Sequence, residues 1–361
     1  MKIEGLFPIK DGKYTNKDEF HHYLIKNYDP HSISHYLTIL TGITKYSRNE
    51  LEKKLQDFGF VIDKKYGEVI KIKNTSEEEV IEAYLLHEKN TGIIYVYTNY
   101  RKTEEIPKIQ DFLKTDKETY YLFLKPKLLR ELTHRLIEKF EDIKIVDFTA
   151  RRSPETKFPA KIRPNVERTI SYWGEDGRDA LREMEYYYGI LPDIVTFSIP
   201  ELGKFRISSN GLFTYYKGNP DCMKLFLEIV ESLTSEAKKY LDIYEKTSFK
   251  MTKIFTAHKS FDIPISTPSS IILERPLLYS EIEDFKKMLV EEGYTIINTI
   301  AEEGSLFFSA DILSDIGSRI RVKATEKKIK LYPDNDRNLH TFMKFYEFII
   351  QKVDPNAEIT F

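Results

Sequence analysis

A single cysteine, Cys222, is present in the 361 residues of this chain, and that scarcity excludes two kinds of site. One thiol cannot form an intramolecular disulfide, and it cannot supply the paired cysteines of a zinc cluster. The chain is also poor in amides, with glutamine only at positions 56, 110 and 351. A charge-rich composition with few amides is typical of growth at high temperature, so we expect a thermophilic, archaeal source.

Long apolar runs are absent as well. The first residues, MKIEGLFPIKDGKY, lack the basic-then-apolar order of a signal peptide, and no run approaches the roughly 18 apolar residues of a spanning helix. We therefore expect a cytoplasmic protein without a membrane partner. The 55 basic and 57 acidic residues nearly cancel to a net charge of -2, so any electrostatic argument about ligands has to be local.

Recognisable catalytic and nucleotide-binding motifs are also missing. The sequence has no P-loop, no dinucleotide-binding glycine motif and no nucleophile elbow. Four histidines cluster near the N-terminus, at positions 21, 22, 31 and 35. His31 and His35 could share a metal on a predicted helix, but beyond Asp29 no third ligand follows at helical spacing. We predict no catalytic residues, no metal and no cofactor.

Among the features present, the first 75 residues carry three predicted helices and then a hairpin. The second helix covers HSISHYLTILTG after Pro30, and the third begins at a capping box formed by Ser47 and Glu50. This order resembles a winged helix-turn-helix module, which implies DNA contact through the third helix and the hairpin tip. The residues in those positions are Arg48, Asn49, Lys53, Lys64 and Lys65. A module that only packs against protein is the alternative.

Residues 76–150 predict a central α/β module, and residues 151–168 a basic, proline-rich connector. Six basic residues outnumber two acidic ones in this connector, giving a local balance of +4. Three prolines favour an extended chain, which could follow a phosphate backbone. The basic residues are Arg151, Arg152, Lys157, Lys161, Arg163 and Arg168. A solvated linker between domains is the alternative.

The same connector holds Glu155 and Lys157 in the E-x-K spacing of a metal-dependent nuclease, with Asp147 upstream. In such a nuclease the carboxylates hold the metal and the lysine positions water, which requires a strand that directs both side chains to one face. Pro154 and Pro159 bracket the triplet and favour a loop instead. A nuclease is therefore only our third hypothesis.

The C-terminal half contains an internal repeat, which we place at about 169–245 and 270–353. Residues 203–219 align with residues 318–335 with one insertion, and the helices that follow keep a constant offset of 116 residues. Upstream, a strand and a helix in 168–188 compare with a strand and a helix in 270–292. Each copy therefore reads strand, helix, three or four antiparallel strands, helix.

This order resembles one half of the TATA-box-binding-protein fold. The resemblance implies a duplicated sheet with helices on its back, and a DNA-bending wedge of phenylalanines at strand ends. Phe213 is the nearest candidate for that wedge, but its counterpart is Ile329, which departs from the family. Aromatic residues on a sheet face with Lys204, Arg206 and Lys217 could instead stack unpaired bases, and the candidates are Trp173, Tyr186, Tyr187, Tyr188, Phe205, Phe213, Tyr215 and Tyr216.

These observations favour a multidomain α+β protein whose function is non-catalytic nucleic-acid binding within a larger machine of transcription, repair or antiviral defence. The expected partners are DNA or RNA and a second protein subunit. The alternative is a protein-interaction or scaffold subunit of an archaeal complex, for instance one that accompanies an Argonaute-type protein. An adaptor of that kind would take its nucleic-acid contact from its partner.

Overall fold

The computed structural model describes residues 5–75, 80–100, 106–152, 160–164, 166–255, 259–301 and 306–361. The chain is a mixed α+β protein with two compact units, unit 1 reaching Lys238 and unit 2 running from Lys239 to Phe361. No described helix is long and apolar enough to span a membrane.

Unit 1 is built on one large sheet. Its helices are α1 (Lys17–Asn27), α2 (Arg48–Asp57), α3 (Ile109–Thr115), α4 (Pro126–Lys139), α5 (Gly177–Tyr188) and α6 (Pro220–Lys246), the last of which ends in unit 2. Its strands are β1 (Leu37–Thr44), β2 (Val61–Tyr66), β3 (Val69–Thr75), β4 (Val80–Glu88), β5 (Ile93–Thr98), β6 (Thr119–Tyr121), β7 (Lys144–Arg152), β8 (Arg168–Trp173), β9 (Leu191–Ile199), β10 (Gly203–Ser208) and β11 (Leu212–Gly218). The order across the sheet is β2-β3-β4-β5-β1-β11-β10-β9-β7-β8, with β6 also pairing β1.

Unit 2 has a smaller sheet and a separate hairpin. Its elements are β12 (Ser248–Phe255), β13 (Ser260–Thr267), β14 (Ser269–Ile272), α7 (Tyr279–Glu291), β15 (Thr295–Ala301), β16 (Phe308–Leu313), β17 (Arg319–Ala324), β18 (Lys328–Pro333), α8 (Leu339–Phe348), a π-helical turn (Ile349–Val353) and β19 (Glu358–Thr360). The sheet order is β15-β16-β17-β18-β14-β19, and β12 pairs with β13.

The second predicted helix of the N-terminal region is instead the central strand β1. All eight of its residues are buried, so neither face shows the alternation that marks a strand. Its β-branched residues suit a sheet, and Gly42, expected to end a helix, lies inside it. A Cβ on Gly42 would come within 2.9 Å of the Tyr120 carbonyl oxygen, so the close approach of β6 explains the glycine.

The boundaries expected at residues 75, 150 and 168 do not separate compact units. β3 pairs with β4 across the first boundary, and β7 pairs with β8 and β9 across the others. Because these hydrogen-bonded strands share one sheet, the winged-helix-like region, the α/β region and the first repeat copy form unit 1 together. The division falls instead within α6.

The two sheets contain similar strand orders, β11-β10-β9-β7 and β18-β17-β16-β15, but the upstream register differs from the one expected for the repeat. A bulge lies between Ile145 and Asp147 of β7, and another lies between Ile296 and Asn298 of β15, 151 residues later in both cases. Asp147 pairs with Thr196 and Asn298 with Asp311, and these partners are 115 residues apart. The first copy therefore carries 36 additional residues between the two strands.

Those additional residues hold β8 and α5. The counterparts of α7 and β15 are thus α4 and β7, rather than the helix and strand next to them at residues 168–188. The sheet position of β14 beside β18 is occupied in unit 1 by β1 beside β11. The sequence alignment matched the wrong elements because β8 and α5 are also a strand followed by a helix. The correction matters for the site, since it makes β7 and β15 equivalent strands.

Candidate nucleic-acid interface

In unit 1, an arginine and a carboxylate meet on the sheet face opposite the Phe213 and Tyr215 side chains. Arg206 on β10 donates to Asp147 Oδ1 at 3.0 Å and to Thr196 Oγ1 at 3.0 Å. Thr196 in turn donates to the same Asp147 oxygen at 2.8 Å. The Arg206 and Asp147 side chains are only 17% and 15% exposed, so this ion pair is largely enclosed. We call this surface the unit 1 polar face.

A tyrosine cluster adjoins that ion pair. The Lys204 ammonium lies 5.1 Å from the centre of the Tyr216 ring, and the Arg206 guanidinium lies 5.7 Å from it. Tyr36 approaches Tyr216 edge-on at 4.6 Å and is about half exposed. Cations over an aromatic ring, next to a second accessible ring, form the type of surface on which unpaired bases stack.

Unit 2 repeats the arginine–carboxylate contact with a different exposure. Arg321 binds Asp311 through two hydrogen bonds of 2.7 and 3.3 Å, and Arg319 adds a third at 2.8 Å. These hydrogen bonds, the ones from Arg321 first, hold the pKa of Asp311 below its usual value. The Asp311 side chain is 6% exposed, whereas those of Arg319 and Arg321 are 41% and 53% exposed.

Three lysines stand on β17 and β18, the strands that carry Arg319, Arg321 and Tyr332. Lys323 and Lys330 are directly opposite each other, and the Lys323 ammonium lies 5.0 Å from the centre of the Tyr332 ring. Within the described residues, none of Lys323, Lys328 and Lys330 forms an ion pair. The strands carry five basic residues and no acidic one. We call this surface, with Arg319, Arg321 and Tyr332, the unit 2 polar face.

The two polar faces share a framework that the repeat alignment preserves. Arg206 corresponds to Arg321, and Tyr216 corresponds to Tyr332. The carboxylate has moved by one strand, because Asp147 stands on β7 whereas Asp311 stands on β16, the counterpart of β9. Both units therefore contain an arginine paired with a carboxylate and, next to it, a tyrosine whose ring contacts a lysine.

The candidate contacts near the N-terminus are mostly engaged within the protein. Arg48 donates to Glu52 at 3.1 Å, to Glu68 at 2.5 Å and to the Gly67 carbonyl at 2.7 Å. Lys65 pairs with Glu52 at 2.6 Å, and Lys64 pairs with Asp11. Asn49 and Lys53 are exposed. The acidic partners neutralise the charge that phosphate binding would need.

The candidate contacts in the connector are divided between the sheet and its surroundings. Arg152 is buried on β7 and donates to the carbonyls of Pro164 and Gly189, so it serves packing. Burial, with a smaller effect of Arg168, lowers the Arg152 pKa. Arg151 pairs with Asp193 at 2.9 Å but is two-thirds exposed.

The remaining connector cations lie against tyrosines or in solvent. Lys161 lies 3.3 Å from the centre of the Tyr186 ring, and the Arg168 guanidinium lies 4.5 Å from that of Tyr188. Arg163 is exposed. Lys157 and Glu155 of the E-x-K spacing lie outside the described residues. Arg151, Arg152 and Arg168 belong to the strands β7 and β8, so the expected free strap is in part a β-ribbon.

The structure also describes the surroundings of Phe213 and of the N-terminal histidines. Phe213 is completely buried, facing β1 and β10 residues such as Ile39 and Ile207, so it cannot act as a wedge between bases. His21 is also buried, with Nε2 2.7 Å from the Tyr97 hydroxyl and Nδ1 3.1 Å from Glu231. Residues 31 and 35 lie outside any helix, and the described part of the chain holds no cluster of three metal-ligating side chains.

Of the predicted site residues, Lys204 and Arg206 are brought together with Tyr216. The unit 2 polar face was missed, although its signal is visible in the sequence. In RIRVKA and KIKLYP every second residue is basic or aromatic and every other one is apolar. That alternation places all the cations on one face of a strand pair.

Comparison with known proteins gives two similarities. Residues 127–210 match a family described as the AF_0896 middle domain. A protein of Archaeoglobus fulgidus, described as uncharacterized, is 27% identical over 374 residues, which cover 99% of this chain and all of that relative. The matched stretch holds Asp147, Thr196 and Arg206 together with the additional β8 and α5. The insertion thus lies within the region of family similarity.

Proposed function

We propose that the protein is a non-catalytic nucleic-acid-binding subunit, and that the unit 2 polar face provides its main contact. The observation that carries the proposal is the pair Lys323 and Lys330. Like charges directly opposite on neighbouring strands destabilise a sheet. A polyanion lying across the two strands would relieve that repulsion, and a phosphate backbone carries closely spaced negative charges.

The tyrosines favour a single-stranded ligand over a regular duplex. Tyr332 lies beside Lys323 and opposite Arg321, so a base stacked on its ring would leave its phosphate near a cation. The unit 1 polar face, with Tyr36 and Tyr216, offers a second stacking surface of the same kind. Sheet faces that combine aromatic rings with basic residues recognise splayed bases of single strands.

Salt titration of oligonucleotide binding tests this proposal. We expect affinity for single-stranded DNA or RNA to fall steeply with salt, and the variant Lys323→Ser/Lys328→Ser/Lys330→Ser to flatten the log–log slope by about 2, at roughly 0.7 per contact. The matched control changes three helical lysines of unit 2, namely Lys246, Lys287 and Lys352, to serine. Binding that is equally salt-dependent in both variants would refute the assignment to this face.

A protein-scaffold function has one observation in its favour. The β12–β13 hairpin exposes six large apolar side chains on a two-stranded element: Met251, Ile254, Phe255, Phe261, Ile263 and Ile265. A two-stranded hairpin is marginally stable alone, and exposed apolar patches mark interaction sites. If the wild-type protein binds no oligonucleotide at low salt, the scaffold function becomes the better proposal.

A further inference from the structure

Strands β7 and β15 are equivalent, but only β7 is paired on both edges. β7 pairs with β9 on one side and with β8 on the other, from Asp147 opposite Trp173 to Arg152 opposite Arg168. The strand β8 comes from the additional residues of the first copy. Among the described residues β15 pairs with β16 alone, so no described strand covers its outer edge.

The composition of β15 leaves that edge unprotected. Natural proteins block edge strands with charged side chains, with proline or with bulges. The sequence TIINTIA has no charge and no proline, whereas the edge strand β2 of unit 1 carries Asp63, Lys64 and Lys65. Ile297 and Ile300 on β15 are 55% and 60% exposed, which adds apolar surface to the open backbone.

The bulge in β15 does not block strand addition. β7 has the same bulge, between Ile145 and Asp147, and its pairing with β8 begins directly after it. The corresponding stretch of β15 starts at Asn298. The pairing of β7 with β8 therefore shows that a strand with this bulge can accept an antiparallel neighbour, and it supplies a register for the equivalent edge of β15.

We propose that the outer edge of β15 binds an antiparallel β-strand of another protein, in the register that β8 adopts on β7. Main-chain hydrogen bonds would supply the affinity and the exposed isoleucines part of the specificity, as in other cases of strand addition. This site is separate from the polar faces, so the proposal does not depend on nucleic-acid binding.

Charge identifies the kind of partner. The sequence around β15 contains Glu291, Glu292, Glu302 and Glu303, and no basic residue occurs between positions 288 and 318. Two copies of β15 paired antiparallel would bring these acidic flanks together, which disfavours a second copy of this chain. A strand flanked by lysine or arginine is complementary, and β8 itself begins with Arg168 after Arg163.

A synthetic peptide of residues 163–174, RPNVERTISYWG, is a suitable probe because it contains β8 with its basic flank. We expect saturating peptide to slow amide hydrogen exchange in residues 295–301 of the full-length protein by roughly tenfold, since strand pairing protects edge amides. A scrambled peptide of the same composition should leave the exchange unchanged. Fluorescence anisotropy of the labelled peptide gives an independent measure of binding.

Two variants keep the experiment decisive. Ile300→Lys places a positive charge on the edge at an exposed position and should abolish both signals, whereas Val290→Lys, exposed on α7, should retain them. No protection with millimolar peptide, or protection that persists in Ile300→Lys, overturns the proposal. Protection without peptide that rises with protein concentration, together with a dimer in light scattering, overturns it in favour of self-association. The triple-lysine variant should bind the peptide like the wild type.

Discussion

The two polar faces are built on the same framework yet differ in what they leave open. In unit 1 the ion pair between Arg206 and Asp147 is enclosed, and β8 covers the sheet edge. In unit 2 the arginines bound to Asp311 are about half exposed. Within the part of the chain that the structure describes, the lysines on the same two strands form no ion pair and no strand covers the outer edge of β15. The two faces therefore share an arginine–carboxylate contact but differ in how much of the cationic surface around it is exposed.

Removing the framework arginine should produce the largest difference between the copies. Arg206→Ala leaves Asp147 enclosed without a cation, which should destabilise unit 1 by about 3 kcal/mol. Arg321→Ala should cost less than about 1 kcal/mol, because Arg319 still pairs with Asp311 at 2.8 Å. Urea unfolding of both variants measures the two costs. Equal losses of unfolding free energy in the two variants would contradict the difference in burial between the two ion pairs.

Acid should reveal the role of Asp311 in unit 2. Its folded pKa is lowered by Arg321 and Arg319, so its contribution to stability is complete above the unfolded pKa of about 4 and is lost as pH falls through the folded value. Asp311→Asn should therefore reduce the loss of unfolding free energy between pH 5 and pH 2. Asp284→Asn, an exposed position on α7, serves as the control and should behave like the wild type. A wild-type slope in Asp311→Asn would contradict this account.

Loss of a stacking ring should weaken binding in proportion to the exposure of each face. Stacking of a base on an aromatic ring contributes about 1–3 kcal/mol, so Tyr332→Ala should lower affinity for a single-stranded oligonucleotide about tenfold. Tyr216→Ala should have a smaller effect, because the Arg206 side chain beside it is only 17% exposed, whereas that of Arg321 opposite Tyr332 is 53% exposed. Equilibrium binding at one fixed salt concentration compares them. A larger effect at Tyr216 would reverse the order of the two faces.

The smallest effect is expected near the N-terminus. Arg48→Ser and Lys65→Ser remove cations that are already paired with Glu52 and Glu68, so oligonucleotide affinity should change less than about twofold. A large loss of oligonucleotide affinity would instead indicate that α2 and the β2–β3 hairpin contact the nucleic acid. Circular dichroism should accompany this test, since Arg48 also ties α2 to the turn at Gly67.

The helices α4 and α7 were predictable because one face of each is solvated, which gives their apolar residues a 3.6-residue period. The buried hairpin of β4 and β5 was predictable for another reason, because a glycine-containing turn at residues 89–92 joins two runs rich in apolar and aromatic residues. β1 was missed because it is buried on both faces, and its pairing with β5 and β11 is a long-range property that no local pattern contains. The alignment of the repeats was wrong upstream of β10 and β17 because the inserted β8 and α5 are themselves a strand followed by a helix.

The candidate site was only half predictable for a related reason. Lys204 and Arg206 were predicted because they stand near aromatic residues in the sequence. Counting basic and acidic residues in the N-terminal region and in the connector did not reveal the alternating cations of β17 and β18. The same counts favoured Arg48 and Lys65 as phosphate contacts. In the structure Arg48 pairs with Glu68 and Lys65 pairs with Glu52, so neither charge is free for a ligand. Charge available to a ligand depends on the folded pairing.

Photo-crosslinking of a single-stranded oligonucleotide, mapped by mass spectrometry, tests the central claim most directly. The account predicts crosslinks at Tyr332 first and at Tyr216 or Tyr36 second, all suppressed by salt and reduced in the triple-lysine variant of the unit 2 polar face. Crosslinks confined to residues 48–66, with none on β11 or β18, would contradict it.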